Sequence, residues 1–210
     1  MMKTKLVYLT LFVAFVSVVG LWAQDKEDAL VQYRNGNYDR AISICSDEIK
    51  RMPNNMDSYV VLGWSYLKKG DYQNALDSGL QGLKITRYDA RVVEIVGEAD
   101  YYLGKNLDAL KYFEEYSVIA PTGDRIELVY YYMGEIFIRL GEYHHADIAF
   151  TTAVYHYPNL ARWWARLGYA REMAEDWKYA RTAYEKAIQL NNLQKDAIRG
   201  LARVKQKLGA

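Results

Sequence analysis

The sequence predicts an all-α solenoid of five helix-turn-helix repeats followed by a C-terminal capping helix. Three observations carry this. A turn glycine recurs at Gly36, Gly70, Gly104 and Gly141, gives way to Glu175, and returns as Gly209. The spacing is even throughout, apart from one longer step between Gly104 and Gly141. Five residues after each of the first five turns stands an alanine: Ala41, Ala75, Ala109, Ala146 and Ala180. Between turns the apolar residues keep helical spacing, most plainly in YVVLGWSYLKKGDYQNA, Tyr59 to Ala75. There Leu62, Gly63 and Tyr66 share one helical face, Gly70 and Asp71 break the helix, and Tyr72, Ala75 and Leu76 open the apolar face of the next. One such pair cannot bury its apolar faces alone, so only stacking of neighbours makes a core.

The chain opens MMKTK, runs from Leu6 to Trp22 without a charge, and reaches Ala23 and Gln24 just before the charged run DKED. A basic start, an apolar core and a small residue at the cut are the layout of a secretory signal peptide, which assigns residues 1–23 to a leader and the mature start to Gln24. An uncleaved membrane anchor is the competing reading, because such a run sits at the lower edge of what spans a bilayer. The absence of a cysteine at the cut argues against a lipid-anchored protein. The expected location is therefore the periplasm or cell envelope of a bacterium, with membrane contact only through an uncleaved N-terminal segment.

Removing Lys3 and Lys5 with the leader lowers the 27 basic residues by two, against 26 acidic ones. Near-neutrality with interleaved signs argues against nucleic acid, which demands clustered Lys and Arg. Cys45 is the only cysteine, so no internal disulfide forms, and its expected role is core filling.

The units follow in order. Residues 24–55 form a degenerate first repeat, whose Asp25 and Asp28 stand where the next repeat has Tyr59 and Leu62; a polar outer face suits an end unit. The second, 56–89, has Gly79 and Gly82 inside its second helix, which mark either close packing against the next unit or a small hollow. The third, 90–126, keeps Gly97, Ala109, Phe113 and Pro121 and has Val93 and Val96 for larger residues. It ends in an extended connection, TGDRI, that explains the single longer step and should change the local curvature. The fourth, 127–160, carries Tyr130, Gly134, Phe137, Ala146, Phe150 and Pro158. The fifth, 161–194, carries Trp164, Gly168, Tyr184 and Ala187, with Trp164 expected to insert between helices. Residues 195–210 make the capping helix, with Ile198, Leu201, Ala202 and Leu208 as its expected apolar stripe and Arg199, Arg203, Lys205 and Lys207 on its other faces.

A period of about 34 residues with this signature resembles the tetratricopeptide repeat. The resemblance covers nearly everything after the leader and implies a right-handed superhelix in which the first helices of successive units line a concave groove. Carried over by position, the partner-binding groove comprises Val60, Trp64 and Lys68; Arg91, Glu94, Glu98, Tyr101 and Tyr102; Tyr131, Glu135, Ile138 and Arg139; and Arg162, Tyr169 and Glu172. Aromatics interleaved with both charge signs suit a protein-binding surface. The clamp by which chaperone adaptors of the family grip a C-terminal carboxylate is absent, since Leu30 and Val61 occupy the places of its polar groups beside Lys26.

Catalysis finds little support. His156 lies about 16 Å along a helix from His145, too far to share a metal, and no phosphate loop or nucleophile elbow is present. No enzyme activity, cofactor or metal is expected. The expected function is a protein-interaction scaffold of the envelope with an unknown protein or peptide as partner. The alternative is a small-molecule or lipid-binding accessory subunit of an envelope transport system, using the groove with Gly79 and Gly82 as pocket; self-association is a third reading.

Overall fold

The computed structural model describes residues 27–209, which form eleven α-helices. They are α1 (Ala29–Arg34), α2 (Tyr38–Arg51), α3 (Met56–Lys69), α4 (Tyr72–Ile85), α5 (Ala90–Tyr102), α6 (Asn106–Ile119), α7 (Ile126–Arg139), α8 (Tyr143–His156), α9 (Ala161–Met173), α10 (Trp177–Leu190) and α11 (Lys195–Leu208). The leader assigned to residues 1–23, and Gln24 to Lys26 of the first repeat, lie outside the described residues. Asp28 belongs to no helical face: its carboxylate caps α1 by accepting from the Val31 amide at 2.9 Å, so α1 starts only at Ala29.

Each turn glycine of the sequence pattern has left-handed backbone, with φ of 80° at Gly36, 75° at Gly70, 77° at Gly104, 76° at Gly141 and 71° at Gly209. Glu175 adopts the same conformation at φ 61° although it carries a Cβ. The repeat dictates that geometry against the residue's preference. Glu175→Gly is therefore expected to raise the unfolding free energy by up to about 1 kcal/mol, read by thermal or urea unfolding.

Between the two helices of a unit, an aromatic ring of the second helix lies on a glycine of the first: Phe113 on Gly97, Phe150 on Gly134, Tyr184 on Gly168. A Cβ added at these glycines would stand 2.8, 2.7 and 2.6 Å from the ring atoms, so the contact needs hydrogen alone there. The second unit has Gly79 where the ring should be, and the third unit compensates. Ile95 fills the place over Gly63, while Val96 and Val92 sit where a Cβ on Gly79 or Gly82 would come within 2.6 and 2.7 Å. The two glycines thus mark close packing, and the hollow postulated for a ligand is filled. This also explains the valines of α5, whose residues 92–101 are all buried. Cys45 is core, as its residue type suggested; burial pushes its thiol up to about 12, which keeps it unreactive.

The first helices of successive units (α1, α3, α5, α7, α9, α11) form one layer and the second helices (α2, α4, α6, α8, α10) the other. Backbones of successive first helices approach closely at α1–α3, α3–α5, α5–α7 and α9–α11, and no comparable approach is found between successive second helices among the described residues, so the first layer is the inner, concave side. Backbones of α5 and α7 lie less closely together than those of α3 and α5, and α7 and α9 stand further apart still. Rings occupy that widest gap: Tyr131 stacks on Trp163 with centroids 5.1 Å apart. Trp163 is accordingly the buried tryptophan, whereas Trp164 is only half-buried and donates from Nε1 to the Pro158 carbonyl at 2.7 Å.

The capping helix packs through a different stripe from the one its apolarity suggested. Ala197, Gly200 and Val204 are buried and Leu201 is half-buried, while Ile198, Ala202 and Leu208 are exposed. Close approach decides this, because the Tyr184 ring lies between Gly168 and Gly200 and leaves no room for a side chain on α11.

Candidate functional site: the concave face

The groove residues expected from the sequence fall into three groups. Lys68, Arg91, Tyr102, Arg139 and Arg162 are exposed; Trp64, Glu135, Ile138 and Tyr169 are half-buried; Val60, Glu94, Glu98, Tyr101, Tyr131 and Glu172 are buried. The buried group supports the fold and offers a partner no surface. Tyr131 lies among Trp163, Phe150 and Tyr132 because the wide gap between α7 and α9 has to be filled. Tyr101 packs against Tyr132 and lies beneath the Arg139 guanidinium, 4.1 Å from its ring centre. Val60 belongs to the cluster with Val92 and Ile95.

Glu94, Glu98, Glu135 and Glu172 all face arginines supplied by the following unit or connection. Arg166 of α9 meets Glu135 of α7 through two parallel bonds of 2.5 and 2.8 Å, and Arg203 of α11 meets Glu172 of α9 in the same way. Such bidentate pairs fix direction as well as distance. Glu172 also accepts the Tyr184 hydroxyl at 2.5 Å, which ties the ring under the cap to the cap's own ion pair.

The third pair is built by the extended connection. The inserted residues after Pro121 bring Arg125 onto the concave face, where one guanidinium nitrogen meets Glu94 at 2.7 Å and Glu98 at 2.5 Å. Tyr132 donates to the other oxygen of Glu98 at 3.0 Å, and the Tyr102 hydroxyl stands 3.2 Å from that of Tyr132. The Arg125 amide bonds the Tyr116 hydroxyl at 3.4 Å, and the Tyr33 phenol of α1 lies near enough to feel Arg125, Glu94 and Glu98. Two carboxylates here share one cation. Burial pushes Glu94 up to about 8; Arg125 opposes this, and Glu98, within hydrogen-bond reach, adds to it. Sequence reasoning found the glutamates but missed Arg125, Arg166 and Arg203 as their partners. The available signal was an insertion carrying an arginine, one unit after two inner-face glutamates spaced i, i+4.

Two of the hollows among the described residues open on this face. One of about 540 Å³ opens among α1, α3 and α5, with Leu30, Arg34, Val60, Trp64 and Arg91 in its wall; Tyr33 lies against Trp64 with centroids 5.8 Å apart. The other, about 310 Å³, lies between α9 and α11, lined by Arg166, Tyr169, Asp196, Arg199 and Arg203.

A family model described as Tetratricopeptide repeat matches residues 27–90. No curated protein matches the chain significantly. Among solved structures, it resembles MamA from Desulfovibrio magneticus RS-1 with TM-score 0.70 and 20% identity over 79% of this chain and 92% of that one. YrrB, described as a TPR protein with an unusual peptide-binding site, gives TM-score 0.69 and 16% identity over 89% and 96%. PilW, a widely conserved type IV pilus biogenesis factor, gives 0.70 and 19% over 86% and 83%. At these identities the likeness shows the fold. The repeat that the family model meets in the first two units returns in the geometry of the later ones, and the chain has the tetratricopeptide-repeat fold.

Proposed function

We propose that this chain is a non-enzymatic interaction scaffold of the cell envelope that holds a peptide or an extended protein segment along its concave face. Repeat proteins of this family are generally scaffolds without catalysis, and the peptide site named for YrrB and the pilus-biogenesis role named for PilW are in keeping with the reading. One observation carries it. Trp64, Tyr102, Ile138, Arg139, Arg162 and Tyr169 remain exposed or half-buried along four consecutive inner helices, although the core beneath them is complete. Aromatic and arginine side chains of that kind supply most interface hot spots. No helix of the described residues is long and apolar enough to cross a membrane.

The test is site-specific photo-cross-linking in the native cell. A photoreactive residue at Lys68, Ile138 or Tyr169 should link to one partner segment, whereas the same residue at Ile148 or Tyr155 of the outer helix α8 should not. The protein recovered from the envelope should begin at Gln24. Links only from α8 would move recognition to the convex side, and a product starting at Met1 or Met2 would make the scaffold membrane-anchored.

A further inference from the structure

Once the inner-face ion pairs are assigned, the charge left along α7, α9 and α11 is mainly positive, with Asp196 as an acidic exception beside Arg199. Asp57, Glu94, Glu98, Glu135 and Glu172 all face arginines of the same chain. Three exposed arginines on consecutive inner helices, Arg139 of α7, Arg162 of α9 and Arg199 of α11, have no carboxylate partner among the described residues. Two of them are nevertheless positioned by neighbouring groups. Arg139 sits over the Tyr101 ring and donates to the Tyr101 carbonyl and Asn106 at 3.3 Å each. Arg162 lies 5.9 Å above the Tyr131 ring, and Arg199 lines the hollow that Tyr169 shares. A guanidinium positioned by a ring face or a carbonyl keeps its full charge and open N–H edges, whereas one clamped by a carboxylate does not. The cap adds to the surplus: α11 carries Lys195, Arg199, Arg203, Lys205 and Lys207 against Asp196, and only Arg203 among them has a carboxylate partner within the described residues.

We infer that the half of the concave face formed by α7, α9 and α11 takes an acidic stretch of a partner protein, its side-chain carboxylates meeting Arg139, Arg162 and Arg199. This rests on the concave face being the binding surface and names the chemistry of what binds there. Carboxylates are the natural match to guanidinium forks with open N–H edges. A single-stranded nucleic acid stacks its bases on rows of open aromatic faces, whereas here Tyr101 and Tyr131 are buried beneath their arginines and Tyr169 is half-buried.

The test is fluorescence anisotropy of residues 24–210 with a labelled, C-terminally amidated peptide of alternating glutamate and leucine, about twelve residues long, and with its lysine counterpart. The glutamate peptide should bind, the lysine peptide should not, and affinity should fall between about 50 and 200 mM salt. Combined Arg139→Gln, Arg162→Gln and Arg199→Gln should weaken binding about tenfold or more, while Lys84→Gln, Lys111→Gln and Lys178→Gln on the outer helices change it less than about twofold. The three arginines are exposed and belong to no ion pair, so circular dichroism should show the parent fold. Equal binding by the lysine peptide, unchanged binding by the arginine triple variant, or displacement by a single-stranded oligonucleotide would each overturn the inference. If these fail while photo-cross-links still map to Lys68, Ile138 and Tyr169, only the charge assignment falls; if the links come from α8, the concave-face reading falls with it.

Discussion

Arg125→Met is expected to lower the unfolding free energy by about 3–5 kcal/mol near pH 8, the range for stripping one partner from a buried ion pair. Methionine keeps most of the packing volume, so the loss reports the charge. Its pH dependence follows from Glu94, which burial moves from 4.5 to about 8. Across that window the native chain holds a proton that the unfolded chain has released. Stability of the parent therefore falls as pH rises through the window and levels off above it. Without Arg125 the two carboxylates stay buried only by taking up protons, so the deficit of the variant should be largest at alkaline pH and shrink towards about pH 5. Glu94→Gln should in turn flatten the parent's slope. Urea unfolding of the three proteins at about pH 5 and pH 8 measures both effects; an Arg125→Met deficit of equal size at the two pH values would show that the residue acts by packing alone.

Tyr184→Ala is the second large effect, expected to cost at least about 3–5 kcal/mol for the lost ring. The ring is 1% exposed and lies against Gly168 and Gly200, so nothing nearby can move in to replace it. Its hydroxyl donates to Glu172, and Tyr184→Phe isolates that bond at about 1.5–3 kcal/mol, the range for a hydrogen bond to a charged group. Removal of the ring also takes away the surface on which α11 rests. Amide exchange of α11 in the alanine variant should therefore rise towards global-unfolding rates, while the phenylalanine variant keeps the cap protected. Equal protection of α11 in both variants would show that the cap is held by its ion pair, with the ring contributing only to the fifth unit.

The fold was legible because its signals are local. The turn positions, the alanine that follows each turn and the glycine that receives an aromatic ring all lie within one unit, and they gave even the replacement of glycine by Glu175 its correct conformation. The concave face was legible only in part. Pattern position alone makes Glu98, Glu135 and Tyr131 surplus to packing, but in this chain the next unit uses them. Their partners stand nearly a full repeat further along, at Arg125, Arg166 and Trp163, and the period says nothing about such pairings. The stripe of the cap was misjudged for a related reason: apolarity ranked Ile198 and Leu208 highest, whereas the Tyr184 ring selects for the absence of a side chain at Gly200.

In many solenoids a unit can be dropped or duplicated because each meets its neighbours through interchangeable apolar faces. Here the polar ties between Arg125 and Glu98, Arg166 and Glu135, and Arg203 and Glu172 each have one half in one unit and the other half in the next unit or its connection. Glu98 and Glu135 share one place in the repeat, ahead of Gly104 and Gly141, but Glu172 stands at another, and no two of the three arginines occupy the same place in their units. Excising or shuffling an internal unit would bring a carboxylate against a residue that cannot answer it. The later units are therefore expected to tolerate transposition less well than units joined by apolar faces alone.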